Sequence, residues 1–89
     1  MTKQNFYGHN FSKQSLIDGQ FENCCFRFAN FQDADLYNAN LSNSDVTGAN
    51  FTNANLEKTN LQGANLDGLS IADLKARGAI VGATPKRPR

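Results

Sequence analysis

A large apolar residue returns at every fifth position along most of this chain. In the stretch ANFTNANLEKTNLQGANL, Ala49 to Leu66, the beats are Phe51, Leu56, Leu61 and Leu66. The same phase runs back through Val46, Leu41, Leu36, Phe31, Phe26, Phe21, Leu16 and Phe11 to Phe6, and forward to Ile71, making fourteen beats without an insertion. Neither regular element fits this period. On an α-helix five residues advance about 500°, a net 140°, so the beats would smear around the surface. On a strand five is odd, so successive beats would face opposite sides. A chain that turns once per five residues, coiling so that each turn stacks on the last, keeps every beat inside. Its N–H and C=O groups then pair with the coils above and below, as in a parallel sheet.

Two more slots repeat with the beat. Two places before it the residue is small in the middle of the chain: Ala29, Ala34, Ala39, Ser44, Ala49, Ala54, Thr59 and Ala64. One place before it, ten of the fourteen residues are Asn or Asp. The small slot reads as an inward position near a crowded corner. The Asn slot reads as structural, with side chains stacked in ladders along the coil axis.

The pattern A-(D/N)-(L/F)-x-x resembles the pentapeptide-repeat family, over about Gln4 to Ala72. The resemblance implies an all-β fold, a right-handed quadrilateral parallel β-helix with four repeats per coil. Fourteen beats then make about three and a half coils. Residues twenty apart stack, which places Phe6, Phe26, Val46 and Leu66 on one face and Phe11, Phe31, Phe51 and Ile71 on the next. Gln4, His9 and Gln14 break the small-slot rule in the first coil and Leu69 in the last, as residues that partly cover open ends.

After Ile71 the beat stops. SIADLKARG reads as a short helix with Ser70 as N-cap, Lys75 and Arg77 near its C-terminal end and Gly78 at C′. Leu69, Ile71, Leu74, Ile80 and Val81 would plug the column. The rival reading makes ADLKA a further repeat out of phase by three. The expected organisation is a repeat domain over residues 1–72, a C-terminal cap over 73–83 and a disordered basic tail over 84–89.

Composition argues against most chemistry. The formal net charge is +1, so no global field selects a nucleic acid or a membrane. No apolar run approaches the roughly 18 residues of a membrane helix, and the N-terminal residues lack a signal-peptide core. Cys24 and Cys25 are adjacent, which fits a reducing cytoplasm better than a disulfide framework. A filled coil offers no catalytic cleft, so no catalytic residue, cofactor or metal is assigned. His9, Cys24 and Cys25 occupy diverging slots and do not make a metal site.

Any function is expected on the outward positions. Most are polar; the exceptions are Tyr7, Ile17, Phe28 and Tyr37. Ile17 and Tyr37 are twenty apart and share a face, and Phe28 lies on another. Met1 to Asp73 carries eight acidic and four basic residues, net −4, whereas Leu74 to Arg89 carries five basic residues and no acid. Lys86, Arg87 and Arg89 therefore join Ile17, Tyr37 and Phe28 as candidate interaction residues, although a basic tail can equally be solubilising. The leading expectation is a non-enzymatic protein-interaction or structural module with a protein partner, with homodimerisation open and nucleic acid or membrane disfavoured. The alternative implied by the family is a DNA mimic acting on DNA gyrase or topoisomerase. The short rod, its modest −4 and the basic tail depart from that pattern.

Overall fold

The computed structural model of this chain describes residues 3–82. Its repeating unit is a turn. From Phe6 to Leu66, with Phe21 the exception, the carbonyl of the beat accepts the N–H three residues on, as in Ala34 to Phe31 at 3.0 Å and Thr59 to Leu56 at 3.0 Å. The residue two past the beat has positive φ, for example 57° at Asn53 and 67° at Gly48, while the residue between stays negative. That combination is a type II turn, which favours Gly or Asn at its third position. The sequence supplies Gly8, Gly48, Gly63 and Gly68 there, and Asn or Asp at most of the others.

The Asn slot starts each turn. All ten of its Asn and Asp residues accept, through Oδ1, the backbone N–H two residues on, from Tyr7 N–H to Asn5 through Asp67 N–H to Asn65. This corrects the axial-ladder reading. The short side chain is used along the chain, in an Asx turn, because its own backbone two residues ahead is nearer than the next coil. An axial side-chain contact occurs instead in the positive-φ slot, where Asn38 Nδ2 donates to Asp18 Oδ1 at 2.8 Å.

Turns this frequent leave only a few extended residues between corners, so β structure among the described residues consists of isolated parallel bridges. All ten bridges join residues twenty apart, from Asn5–Cys25 to Asn60–Ile80. Each coil therefore takes four five-residue units, and the chain is a β-helix solenoid. The ladder is regular: Phe6 N–H donates to Cys25 O at 2.7 Å, and Cys25 N–H to Gln4 O at 2.9 Å.

The beats fill the interior. Leu36, Leu41 and Val46 are fully buried, as are Ala29, Ala39 and Ala64 in the small slot. Phe11, Phe31 and Phe51 stack with centroids 5.1 and 4.9 Å apart and rings within 7° of parallel. The hydroxyls in the small slot are satisfied inside, as buried polar groups must be. Thr59 Oγ1 donates to Leu36 O at 2.7 Å, and Ser44 Oγ donates to Phe21 O and accepts from Cys24 N–H. In the first coil Phe6, Leu16 and Phe21 are only partly buried. His9 there is exposed, its ring 4.5 Å from that of Phe11.

Helix α1, Ile71–Ala76, interrupts the coil. Ser70 is its N-cap and accepts the Asp73 N–H. Gly78 N–H to Lys75 O and Ala79 N–H to Leu74 O close it in a Schellman motif, with φ of 94° at Gly78. ADLKA is thus helical rather than an out-of-phase repeat. Ile71 is not a core beat: it opens the helix and is exposed, because a helix turns it away from the column that an extended residue would face. Leu74 is the buried plug.

The coil then resumes in phase. Lys58 N–H donates to Gly78 O, Ile80 N–H to Thr59 O and Leu61 N–H to Ile80 O. Ala79 is buried in the small slot above Thr59, Val81 falls in the beat slot, and Ile80 takes the outward Asn slot and is exposed rather than plugging the column. Arg77 stands in for part of the coil that the helix displaces. Its Nη2 donates to Phe51 O at 2.5 Å and Ala54 O at 2.9 Å, and Nη1 reaches Asp73 at 3.4 Å. The tail residues Lys86, Arg87 and Arg89 lie outside the described residues.

Leu36→Ala is expected to cost about 2–5 kcal/mol in urea denaturation, because rigid neighbouring coils cannot collapse into the space. Arg77→Ala is expected to cost about 1–3 kcal/mol by the same measurement, since it leaves Ala54 C=O unpaired and leaves Phe51 C=O with only the Ala54 N–H.

Candidate functional site

The walls carry few exposed large apolar side chains, and the coil sets their positions. Ile17 is 47% exposed, as its outward slot requires. Tyr37, one coil further on, is half-buried, and Lys58 Nζ lies 5.7 Å from its ring centroid. That lysine partly covers the ring, so the Ile17–Tyr37 strip is less apolar at its surface than the stacking of the two positions implies.

The denser cluster lies on another corner. Phe28 is 52% exposed and Tyr7 61% exposed, and their rings meet edge to face at 5.6 Å. Phe28 occupies the positive-φ position of its turn, with φ of 58°. Left-handed backbone costs a bulky L-residue roughly 1–2 kcal/mol. The ring that occupies this position packs on the outside of the coil, half-exposed, rather than in the column. The ring is accommodated by Gly48 in the next coil: a Cβ there would stand 2.6 Å from two ring carbons. Arg27, next to Phe28 in sequence, pairs with Asp45 at 3.4 Å on the same wall.

Sequence spacing identified Phe28 and Tyr7 as outward residues but did not pair them. They are twenty-one apart, and the register brings a residue beside its twenty-residue neighbour. The contact forms because Tyr7 and Phe28 occupy adjacent turn positions of neighbouring coils, so their rings meet across the corner.

A second feature was not visible in the sequence. Where α1 leaves the wall, a groove of about 380 Å³ opens between the helix and the coil edge, lined among others by Ala49, Phe51, Thr52, Leu69 and Arg77. Among the described residues no three His, Cys, Asp or Glu side chains group as metal ligands. Cys24 is buried and Cys25 half-buried, and neither is in a disulfide. No described helix is long and apolar enough to cross a membrane.

Residues 29–68 match the family model for pentapeptide repeats, in eight copies. The chain belongs to the pentapeptide-repeat family. The match covers the most regular turns, where the Ala, Asn and Leu or Phe slots are all filled, and the flanking coils continue the same register. Among solved structures, the chain is similar to a pentapeptide repeat protein from the thylakoid lumen of Arabidopsis thaliana, at 36% identity and a TM-score of 0.41, over 75% of this chain and 53% of that one. This pentapeptide-repeat chain thus spans about half the length of that protein. No curated protein matches its sequence.

Two phenylalanines three residues apart should respond oppositely to replacement. Phe28→Asn, which suits positive φ, is expected to be neutral or to stabilise by up to about 1 kcal/mol, whereas Phe31→Ala is expected to cost about 3–5 kcal/mol. Urea midpoints of the two variants check this.

Proposed function

We propose that this pentapeptide-repeat chain is a non-enzymatic interaction module that binds a protein partner through the Tyr7–Phe28 corner. One observation carries the reading: Phe28 holds an exposed ring in a strained backbone conformation that Gly, Asn or Asp would occupy at less cost. Strain kept at a half-exposed ring outside the core points to a role outside folding. Exposed aromatic side chains beside an arginine are the residue types that dominate binding energy at protein interfaces. The −4 body sets only a weak field, so shape and aromatic contact, rather than charge, would select the partner.

The finer architecture belongs to the same proposal. The reading is a right-handed coil of about three and a half turns with α1 as its C-terminal cap. The parallel crossover rule supports the hand, and burial of Leu74 supports the cap. A cytoplasmic setting fits two cysteines that form no disulfide.

The test is affinity capture from the native cell with the wild-type chain, Tyr7→Ser/Phe28→Asn and Ile17→Ser side by side. A partner held by wild type and Ile17→Ser, and lost with the double variant, supports the proposal. Equal capture by all three moves the interface off the aromatic corner and overturns it.

A further inference from the structure

The coil edge under helix α1 has a defined gap in its hydrogen bonding. In the regular ladder the carbonyl in the small slot accepts an N–H from the coil below, and the beat and the residue two past it donate to that coil. On the stretch Ala49–Asn53 this pattern is broken: Ala49 C=O, Phe51 N–H and Asn53 N–H find no partner among the described residues. The residues that would have served them are committed elsewhere. Ser70 would have bridged Asn50, but its carbonyl accepts Leu74 N–H at 3.0 Å as the first bond of the helix.

The gap is bounded on both sides. Before it, Gly48 N–H donates to Asp67 O at 3.1 Å. After it, Arg77 Nη2 occupies Ala54 O at 2.9 Å. The groove of about 380 Å³ lies along this stretch, within the roughly 300–1,000 Å³ of sites that hold small ligands. Its apolar floor is formed by Phe51, Leu69 and Leu74.

We propose that this edge takes a short extended peptide segment as an added strand. One residue of the segment, lying over Asn50, donates its N–H to Ala49 O and accepts Phe51 N–H at its C=O. That is the parallel bridge Cys25 makes with Asn5, through Gln4 O and Phe6 N–H. A carbonyl two residues further along accepts Asn53 N–H. The occupant is set by this order of acceptor, donor and donor, which extended backbone supplies from a single segment. Its floor-facing side chain must be small, because Leu74 already fills the column. The length is about three residues, since Gly48 and Ala54 are closed. This site is independent of the Tyr7–Phe28 corner and stands or falls separately.

The test is a titration of the ¹⁵N-labelled wild-type chain with acetyl-Ala-Ala-Ala-amide, followed by amide proton shifts. The expected result is a saturable downfield shift of the Phe51 and Asn53 amides, with a dissociation constant of about 1–10 mM, as a few net hydrogen bonds provide. The Phe26 and Phe31 amides, already paired in the ladder, stay in place. The same peptide N-methylated at each alanine cannot donate to Ala49 O and should bind at least about tenfold more weakly. Absence of saturable shifts, equal binding of the N-methylated peptide, or equal shifts with sodium acetate would each overturn the proposal.

Discussion

Everything in this molecule depends on one local constraint, a type II turn every five residues. Each turn needs a backbone N–H held early and a residue tolerant of positive φ late. At most turns Asn or Asp just before the beat supplies the first through its Asx bond, and Gly, Asn or Asp two past the beat supplies the second. With corners fixed at that spacing, the extended stretch between them is too short to be a strand in its own right. The chain is stable only where coils stack, so the ladder of bridges twenty residues apart and the single interior column arise together.

The column then sets its own tolerances. One large side chain and one small one enter per unit, and each meets its counterparts in the coils above and below. The stacked Phe11, Phe31 and Phe51 show how closely side chains of one type can align when the backbone repeats. Buried hydroxyls survive in this interior because the backbone passes near every inward position. Thr59 and Ser44 each find a carbonyl of the preceding coil. A solenoid must also manage its ends, where the ladder stops. Here a helix replaces two units, Arg77 answers for part of the displaced backbone, and a short stretch of edge stays unpaired.

Much of the fold was legible in the sequence because the repeat is local. The beat, the small slot and the turn positions follow from spacing alone, as do the Ser70 N-cap and the Gly78 terminus of α1. The errors share a cause. The Asn slot reads as an axial ladder if only register is considered, but the side chain bonds to its own backbone first. Ile71 continues the beat in sequence, yet the helix that starts there turns it outward. Ala79, Ile80 and Val81 look detached from the repeat, although they rejoin it in phase across the helix. The candidate surface was only half legible. Phe28 and Tyr7 stood out as outward aromatics, but their meeting depends on reach across a corner.

By itself the sequence determined the period, the inward and outward slots and membership of a stacked coil, because each of these is a property of five consecutive residues. Tertiary structure decided what happens between coils and at their end. It placed the Phe28 ring over Gly48 and against Tyr7, assigned Arg77 to the carbonyls of Phe51 and Ala54, and left the edge from Ala49 to Asn53 open. Those outcomes depend on which backbone groups a neighbouring segment already occupies, and only the folded chain fixes that.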